Sequence, residues 1–325
     1  MPNSSNPLLS THGLSFRAKR GFCFFLFWGL SFLVVDAQPK RPKILSIKQV
    51  RILTTDLKQA NEFYYGILRT LYPVDPNGAP CNLCEGASVH TESPLEFDLV
   101  QAPIPKNLIG AVIFETDDAK GLRKFLQRNK VPVGKLEKLP SGDAFSVTDP
   151  ENHRLVFVQP LNNDQPSVGV PGAYVTPSSP WPRIIHVGFV VKDRTVEDHF
   201  YKDILGFRPY WHGGMKDDRD DWVSLQVPDG AAWVEFMLNV PADANQHTLG
   251  VMNHVAFGVA NMRTADQQLL DSPLHLTINE APKIGRDGKW QLNLYDPDQT
   301  RVELMEFTPV QKPCCSEFTA PHPKP

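Results

Sequence analysis

The sequence carries no large excess of charge of either sign. Its 325 residues include 33 Lys and Arg against 36 Asp and Glu, which gives a formal net charge of -3 at pH 7. Proteins that bind nucleic acid usually carry a basic excess or a clustered basic face. We therefore expect no nucleic-acid partner.

Long apolar runs are also scarce, and the one that is present lies near the N-terminus. Three basic residues within 17–20 precede the 15-residue apolar run GFCFFLFWGLSFLVV at 21–35, and Ala37 follows as a small residue suited to cleavage. This order is typical of a secretory signal peptide, and the run is shorter than the roughly 20 residues that a transmembrane helix needs. The sequence predicts a signal peptide over 1–37, a secreted or periplasmic location, and no stable membrane span after cleavage.

Cysteine is limited to five residues, of which Cys23 lies within the predicted signal peptide. An even number of cysteines then remains, and in an oxidising compartment this favours disulfides. Cys81 and Cys84 form a C-x2-C pair that is also compatible with redox chemistry or metal binding, and Cys314 and Cys315 are adjacent. A local disulfide or an interdomain disulfide is the favoured interpretation, and the sequence leaves the pairing open.

Proline is the residue in excess. It accounts for 30 of the 325 residues, whereas an average content of about 5% would give roughly 16. Because proline is kept out of helix interiors and central strands, this content excludes a helical bundle or a coiled coil. The chain length suits two domains at roughly 100–200 residues each.

Four segments of the chain combine a β-branched strand with an amphipathic helix. They begin at Ile47, Gly110, Ile184 and Asn253. Apolar residues recur at three- and four-residue steps in each helix, and an Asp or Asn suited to capping stands near each helix start. Short strands follow each helix. The repeat predicts an α+β fold of two domains, each a pair of βαβββ modules whose curved mixed sheet surrounds a cavity.

The two predicted domains span 44–160 and 183–307. Between them, 161–182 is rich in Pro, Ser and Gly, which predicts a linker. The Pro-rich tail 308–325 is predicted to be disordered.

Two His/Glu pairs interrupt apolar strands of the second domain. Glu235 follows His186 by 49 residues, and Glu303 follows His254 by the same 49 residues. Equal spacing in two similar modules suggests a pseudo-twofold axis that brings the four side chains together. Two imidazoles and two carboxylates suit a divalent first-row metal, and burying such groups without a partner is costly. The alternative is a pair of hydrogen-bonded core histidines with solvent-facing glutamates.

With these residues, and with the stretches FYKDILGF and DPDQTRVEL, the region 183–307 resembles the vicinal oxygen chelate superfamily, and within it most resembles glyoxalase I. The resemblance implies one divalent metal (Ni, Zn, Mn or Fe) bound by His186, Glu235, His254 and Glu303. It also implies a small-molecule substrate whose two oxygens bind the metal, with Glu303 as the favoured base and Glu235 as its counterpart.

Substrate contacts follow the resemblance only in part. Asn239 matches a family contact to glutathione, whereas Val190 stands where glyoxalase I has an arginine for the glutathione carboxylate. Lys283, Arg286 and Lys289 precede the last predicted hairpin and are candidates for an anionic substrate, although a solvated loop is the simpler interpretation.

The first domain, 44–160, resembles the same superfamily more weakly. Gln49 and Glu96 align with the first two ligand positions, but Ala111 and Val156 stand at the other two. We therefore expect a partner domain with an incomplete metal site.

Two other functions stay open. In an Fe(II) extradiol dioxygenase, His186, His254 and Glu303 would form the 2-His-1-carboxylate set, but IGRDGKWQLNLYDP lacks histidine and has Asn293 where that family has a tyrosine. A non-catalytic small-molecule binding protein is the third possibility. The favoured prediction is an exported, metal-dependent lyase or isomerase of the glyoxalase I type, and its oligomeric state is left open.

Overall fold

The computed structural model describes residues 40–70, 95–139, 142–161, 183–272, 278 and 280–325. The predicted signal peptide, Cys81 and Cys84, and all of the predicted linker except residue 161 lie outside the described residues. Among the described residues, no helix is long and apolar enough to cross a membrane.

The N-terminal half of the protein is built on a six-stranded mixed sheet with strand order β2-β1-β3-β6-β5-β4. The central strands β1 and β3 are antiparallel, and each pairs in parallel with its other neighbour, β2 or β6. The elements are β1 (Ile44–Thr54), α1 (Leu57–Thr70), β2 (Leu95–Leu99), β3 (Ile109–Thr116), α2 (Ala119–Arg128), β4 (Glu137–Leu139), β5 (Gly142–Thr148) and β6 (Arg154–Pro160).

The C-terminal half is built on an eight-stranded mixed sheet with strand order β12-β13-β14-β11-β7-β10-β9-β8. Its elements are β7 (Ile184–Val190), α3 (Arg194–Asp198), a π-helical turn (His199–Ile204), β8 (Arg208–Gly213), β9 (Trp222–Gln226), β10 (Trp233–Met237), α4 (Gln246–Met252), β11 (His254–Val259), α5 (Met262–Leu270), β12 (Lys283–Ile284), β13 (Trp290–Tyr295) and β14 (Arg301–Glu306).

The same plan organises both halves. In each sheet two antiparallel strands at the centre, β1 with β3 and β7 with β11, start successive modules, and each pairs in parallel with a later strand of its own module. The two curved mixed sheets confirm the predicted α+β fold of the glyoxalase type. Helix α4, which precedes β11, is an addition to the predicted plan.

Polar caps begin the helices near the predicted positions. Asp56, Asp193 and Asn261 accept hydrogen bonds from backbone N–H groups at the starts of α1, α3 and α5. For α2 the cap is Asp118, whereas its neighbour Asp117 accepts from the backbone N–H of Lys43. Such caps satisfy backbone N–H groups that have no partner within the helix.

The prediction of a disordered C-terminal tail, 308–325, is wrong. The tail covers β8, the edge strand of the second sheet: Thr319 N donates to Tyr210 O at 3.0 Å, and the Phe318 ring lies 4.8 Å from that of Tyr210. An exposed edge strand offers unpaired backbone groups, so a segment with an aromatic anchor gains both hydrogen bonds and burial there. The tail also contains a disulfide between Cys314 and Cys315, which is one of the local pairings that the sequence left open.

Candidate metal centre

The structure brings together His186, Glu235, His254 and Glu303, which form the central site. They lie on four consecutive strands of the second sheet, β10, β7, β11 and β14. Residues two apart on a strand share a face, so strand alternation and register place all four side chains on one face of the sheet.

Two rows of residues across the sheet explain this convergence. In one row, Ala256 on β11 stands between His186 and Glu303, and in the other, Gly188 on β7 stands between Glu235 and His254. Each row therefore has one imidazole, one carboxylate and a small residue between them, as a pseudo-twofold axis requires. In the second row the small residue, Gly188, leaves space for the imidazole beside it.

Gly188 provides this space for His254. A Cβ atom at position 188 would lie 2.0 Å from Cε1 of the His254 ring, so the ring must move in Gly188→Ala. Substituting residues that orient a metal ligand reduces affinity by about 10- to 100-fold, and we expect at least about a tenfold weaker binding of Zn²⁺ in calorimetric titration. Gly110→Ala is the control, because the closest atom to its Cβ would be the flexible end of the Leu53 side chain. Unchanged affinity in Gly188→Ala would show that His254 is not a ligand.

The distances within the central site are those of a coordination sphere. His186 Nε2 lies 3.0 Å from His254 Nε2 and 3.3 Å from Glu303 Oε2. His254 Nε2 lies 3.6 Å from Glu303 Oε2 and 3.7 Å from Glu235 Oε2. Ligand atoms that each lie about 2.1 Å from a shared metal are separated by about 3.0–3.6 Å. The residues therefore fit a divalent cation, with His186, His254 and Glu303 as the tighter set of three.

Neighbouring groups orient the side chains of the central site. His254 Nδ1 lies 3.0 Å from Met252 O, which directs Nε2 into the site, and the His186 ring stacks on Trp233 with centroids 4.7 Å apart. Ser224 Oγ donates to Glu235 Oε1 at 3.1 Å. Such outer contacts fix the tautomer and direction of metal ligands.

Burial and neighbouring charges shift the pKa values of the two glutamates of the central site in opposite directions. Burial raises the pKa of Glu235. Burial also acts to raise the pKa of Glu303, but Arg301 and the hydrogen bond and charge of His186 outweigh it and lower that pKa. Burial, with the positive charges of Arg301 and His186, lowers the pKa of His254 well below its usual value and favours the neutral ring that binds metals.

Arg301 was not among the sequence candidates. Its Nη2 lies 2.8 Å from His254 Nε2 and 4.0 Å from Glu303 Oε2. Its position two residues before Glu303, on the same face of β14, is the signal that places it beside the central site.

The predicted substrate residues contact other parts of the protein. Asn239 donates to Asp221 Oδ1 at 2.8 Å, Lys283 pairs with Glu280 at 3.0 Å, and Arg286 donates to the carbonyl of Gly214 at 3.1 Å. Among the described residues, none of the three predicted ones hydrogen-bonds or forms an ion pair with the central site. Their side chains hold surface loops in place.

Lys289, expected in a solvated loop, is fully buried. Its Nζ donates to Tyr210 OH at 3.1 Å and lies 4.5 Å from the centre of the Trp233 ring, with Phe318 of the tail at 5.2 Å. Burial lowers the pKa of Lys289 to about 8. The sequence did not predict this burial, because the aromatic residues that contact Lys289 are distant from it along the chain.

The corresponding face of the first sheet is organised differently. Glu96 Oε2 accepts from Arg51 Nη2 at 2.6 Å, and Ala111 and Val156 pack in a small apolar cluster. An arginine and apolar side chains thus stand around the two aligned positions, Gln49 and Glu96.

Comparison with protein families finds a match in the second half of the chain. Residues 185–293 match the family model described as the glyoxalase/bleomycin resistance protein/dioxygenase superfamily, which confirms the resemblance seen in the sequence. A comparison with curated proteins finds no match.

Several solved structures share the fold. An extradiol ring-cleaving dioxygenase from B. fuscum is 17% identical with a TM-score of 0.54, over 85% of this chain and 74% of that one. Homoprotocatechuate 2,3-dioxygenase from Arthrobacter globiformis is 17% identical with a TM-score of 0.54, over 82% and 80% of the two chains. The Brevibacterium fuscum enzyme in complex with 3,4-dihydroxyphenylacetate is 18% identical with a TM-score of 0.54, over 86% and 83%.

Proposed function

We propose, from the membership of residues 185–293 in the glyoxalase/bleomycin resistance protein/dioxygenase superfamily, that the protein is a metal-dependent lyase or isomerase acting on a small substrate with two neighbouring oxygens. One observation carries the proposal: two histidines and two glutamates converge on one face of the second sheet, with ligand atoms of the other three residues 3.0–3.7 Å from His254 Nε2. A protein that only binds a small molecule has no need to bury this set of ligands.

The four residues of the central site have different roles in this proposal. His186, His254 and Glu303 hold the metal, and a bound divalent metal supplies Lewis acidity towards the substrate oxygens. Glu235 moves the proton, because its side chain is 14% exposed against 4% for Glu303 and because, among the described residues, it pairs with one histidine of the site whereas Glu303 pairs with both. Arg301 adds positive charge beside the site, which favours an anionic substrate.

A dioxygenase is the second candidate function. His186, His254 and Glu303 form the 2-His-1-carboxylate set that suits Fe(II), and the solved structures named above are dioxygenases. Against this candidate, Asn293 pairs across the strands with Glu303 and donates to Glu280 at 3.2 Å, so an amide occupies the position expected for a tyrosine.

An oxygen-electrode assay separates the two functions. Protein loaded with Zn²⁺, Ni²⁺, Mn²⁺ or Fe²⁺ is tested against 2-oxoaldehyde thiol adducts, acyl thioesters and catechols. We expect metal-dependent turnover without oxygen uptake, which a chelator abolishes. Oxygen consumption in step with loss of a catechol would establish the dioxygenase instead, and a protein without affinity for any of the four metals would contradict both enzymatic functions.

The proposed location is outside the cytoplasm, supported by the basic and apolar pattern before Ala37. Cleavage there would leave a mature chain that begins at Gln38.

A further inference from the structure

Two equivalent contacts join the N-terminal and C-terminal halves of the protein. Tyr64 of α1 donates its hydroxyl to Asp296 Oδ2 at 2.9 Å, and Tyr201, in the π-helical turn after α3, donates to Asp149 Oδ2 at 3.1 Å. Each aspartate belongs to the Asp-Pro turn that precedes the last strand of its half, β14 or β6. The repeat of modules therefore produces the same tyrosine–aspartate contact twice.

The two contacts differ at two neighbouring positions. In the first, the residue four before the tyrosine is Ala60, and the residue four after the aspartate is Thr300. In the second, the same positions hold Glu197 and His153. The first contact forms with alanine and threonine at these two positions, so the tyrosine–aspartate hydrogen bond does not require Glu197 or His153.

Asp149, His153 and Glu197 form the seam site. Asp149 and Glu197 are buried, and one ligand atom from each of the three residues lies within 4.8 Å of the others. His153 Nδ1 is 2.8 Å from Asp149 Oδ2, and the His153 side chain is 12% exposed, which gives the site a path to solvent. Two carboxylates and an imidazole thus meet between the halves.

Glu197 is the residue that points to a ligand. It is fully buried, and its Oε1 accepts from the backbone N–H of Glu151 at 2.9 Å. Its Oε2 is buried and has no hydrogen-bond partner among the described residues. A cation would supply the missing partner, because an ionised carboxylate is costly to bury alone.

We propose that Asp149, His153 and Glu197 bind a second divalent cation, of the Zn²⁺ or Mn²⁺ class, that fastens the two halves together. One imidazole and two carboxylates suit these ions. Asp149 and His153 come from the N-terminal half and Glu197 from the C-terminal half, so the ion would link them and stabilise only the folded state. This site is separate from the central site and does not depend on the proposed function.

The test uses the full chain carrying His186→Ala and His254→Ala, which removes the central site. Calorimetric titration with ZnCl₂ should still show one equivalent bound, and saturating Zn²⁺ should raise the Tm over EDTA-treated protein by about 5 °C. Glu197→Ala and His153→Thr, added separately, introduce the residues of the first contact and should abolish both the binding and the Tm rise.

Either of two results would overturn the seam site. One is a folded double variant that binds no Zn²⁺, and the other is full Zn²⁺ binding that survives both Glu197→Ala and His153→Thr. Because the central site is absent from these proteins, neither result bears on the proposed enzymatic function. If one seam variant does not fold, the other still decides the question.

Discussion

Replacing His254 with alanine is expected to remove one equivalent of divalent metal from the protein and to reduce turnover to background. The Nε2 atom of His254 lies within 3.0–3.7 Å of ligand atoms from all three other residues of the central site. Its loss therefore removes a ligand from the middle of the set. Since changes outside the coordination sphere already cost 10- to 100-fold in affinity, we expect at least about a hundredfold weaker binding.

Metal analysis after dialysis, together with calorimetric titration, measures this effect. His199→Ala is a matched control, because His199 is exposed and pairs with Asp203, away from the central site. It should keep the metal content and activity of the unaltered protein. A His254→Ala protein with an undiminished metal content would refute the assignment of this residue.

Glu235→Gln is expected to keep the metal and lose at least about a hundredfold in kcat. An amide conserves the shape of the side chain and its contact with Ser224 but cannot accept a proton as a base, and general base catalysis contributes about 10²- to 10⁴-fold. Because burial raises the pKa of Glu235, the base form appears only at higher pH. The rate should therefore rise with pH above the usual carboxylate range, and this limb should be absent from Glu235→Gln.

Glu303→Gln is the comparison that decides between the two carboxylates. Burial acts to raise the pKa of Glu303, but Arg301 and His186 lower it, which suits a permanently ionised ligand, so this variant should weaken metal binding as well as turnover. If Glu303→Gln instead keeps its metal and loses only turnover, while Glu235→Gln remains active, the base is Glu303, as the family resemblance implied.

The convergence of the four side chains of the central site could be predicted from sequence because it depends on strand pairing. The parallel pairs β7–β10 and β11–β14 set His186 opposite Trp233 and His254 opposite Arg301, two residues before each glutamate. Equal 49-residue separations therefore translate directly into equivalent places on one face. Because the strands pair regularly, the spacing of these residues in the sequence predicts their relative positions in the sheet.

Contacts between distant segments could not be predicted in this way. The tail reads as a polar, Pro-rich segment, yet Phe318 packs on Tyr210 and helps to bury Lys289. These partners meet only because β8 is an edge strand that the tail covers. The residues next to Lys289 and Phe318 in the sequence do not indicate that these two side chains are in contact.

Side-chain partners of the proposed substrate residues escaped prediction for a related reason. The family resemblance aligns Asn239 with a contact to glutathione, but its side-chain amide donates to Asp221. Its backbone adopts a φ of 60° in the turn after β10. Asn tolerates this left-handed conformation better than most residues. Asn239 therefore has a structural role in this turn, which a family alignment alone does not distinguish from ligand contact.

X-ray absorption spectroscopy of the Zn²⁺-loaded Glu197→Ala variant tests the central claim most directly. This variant lacks the proposed seam site, so the spectrum reports the central site alone. The structure predicts two imidazole ligands, His186 and His254, with Zn–N distances of about 2.0–2.1 Å and oxygen atoms in the remaining positions. A bound Zn²⁺ with one imidazole or none would contradict the assignment of the central site.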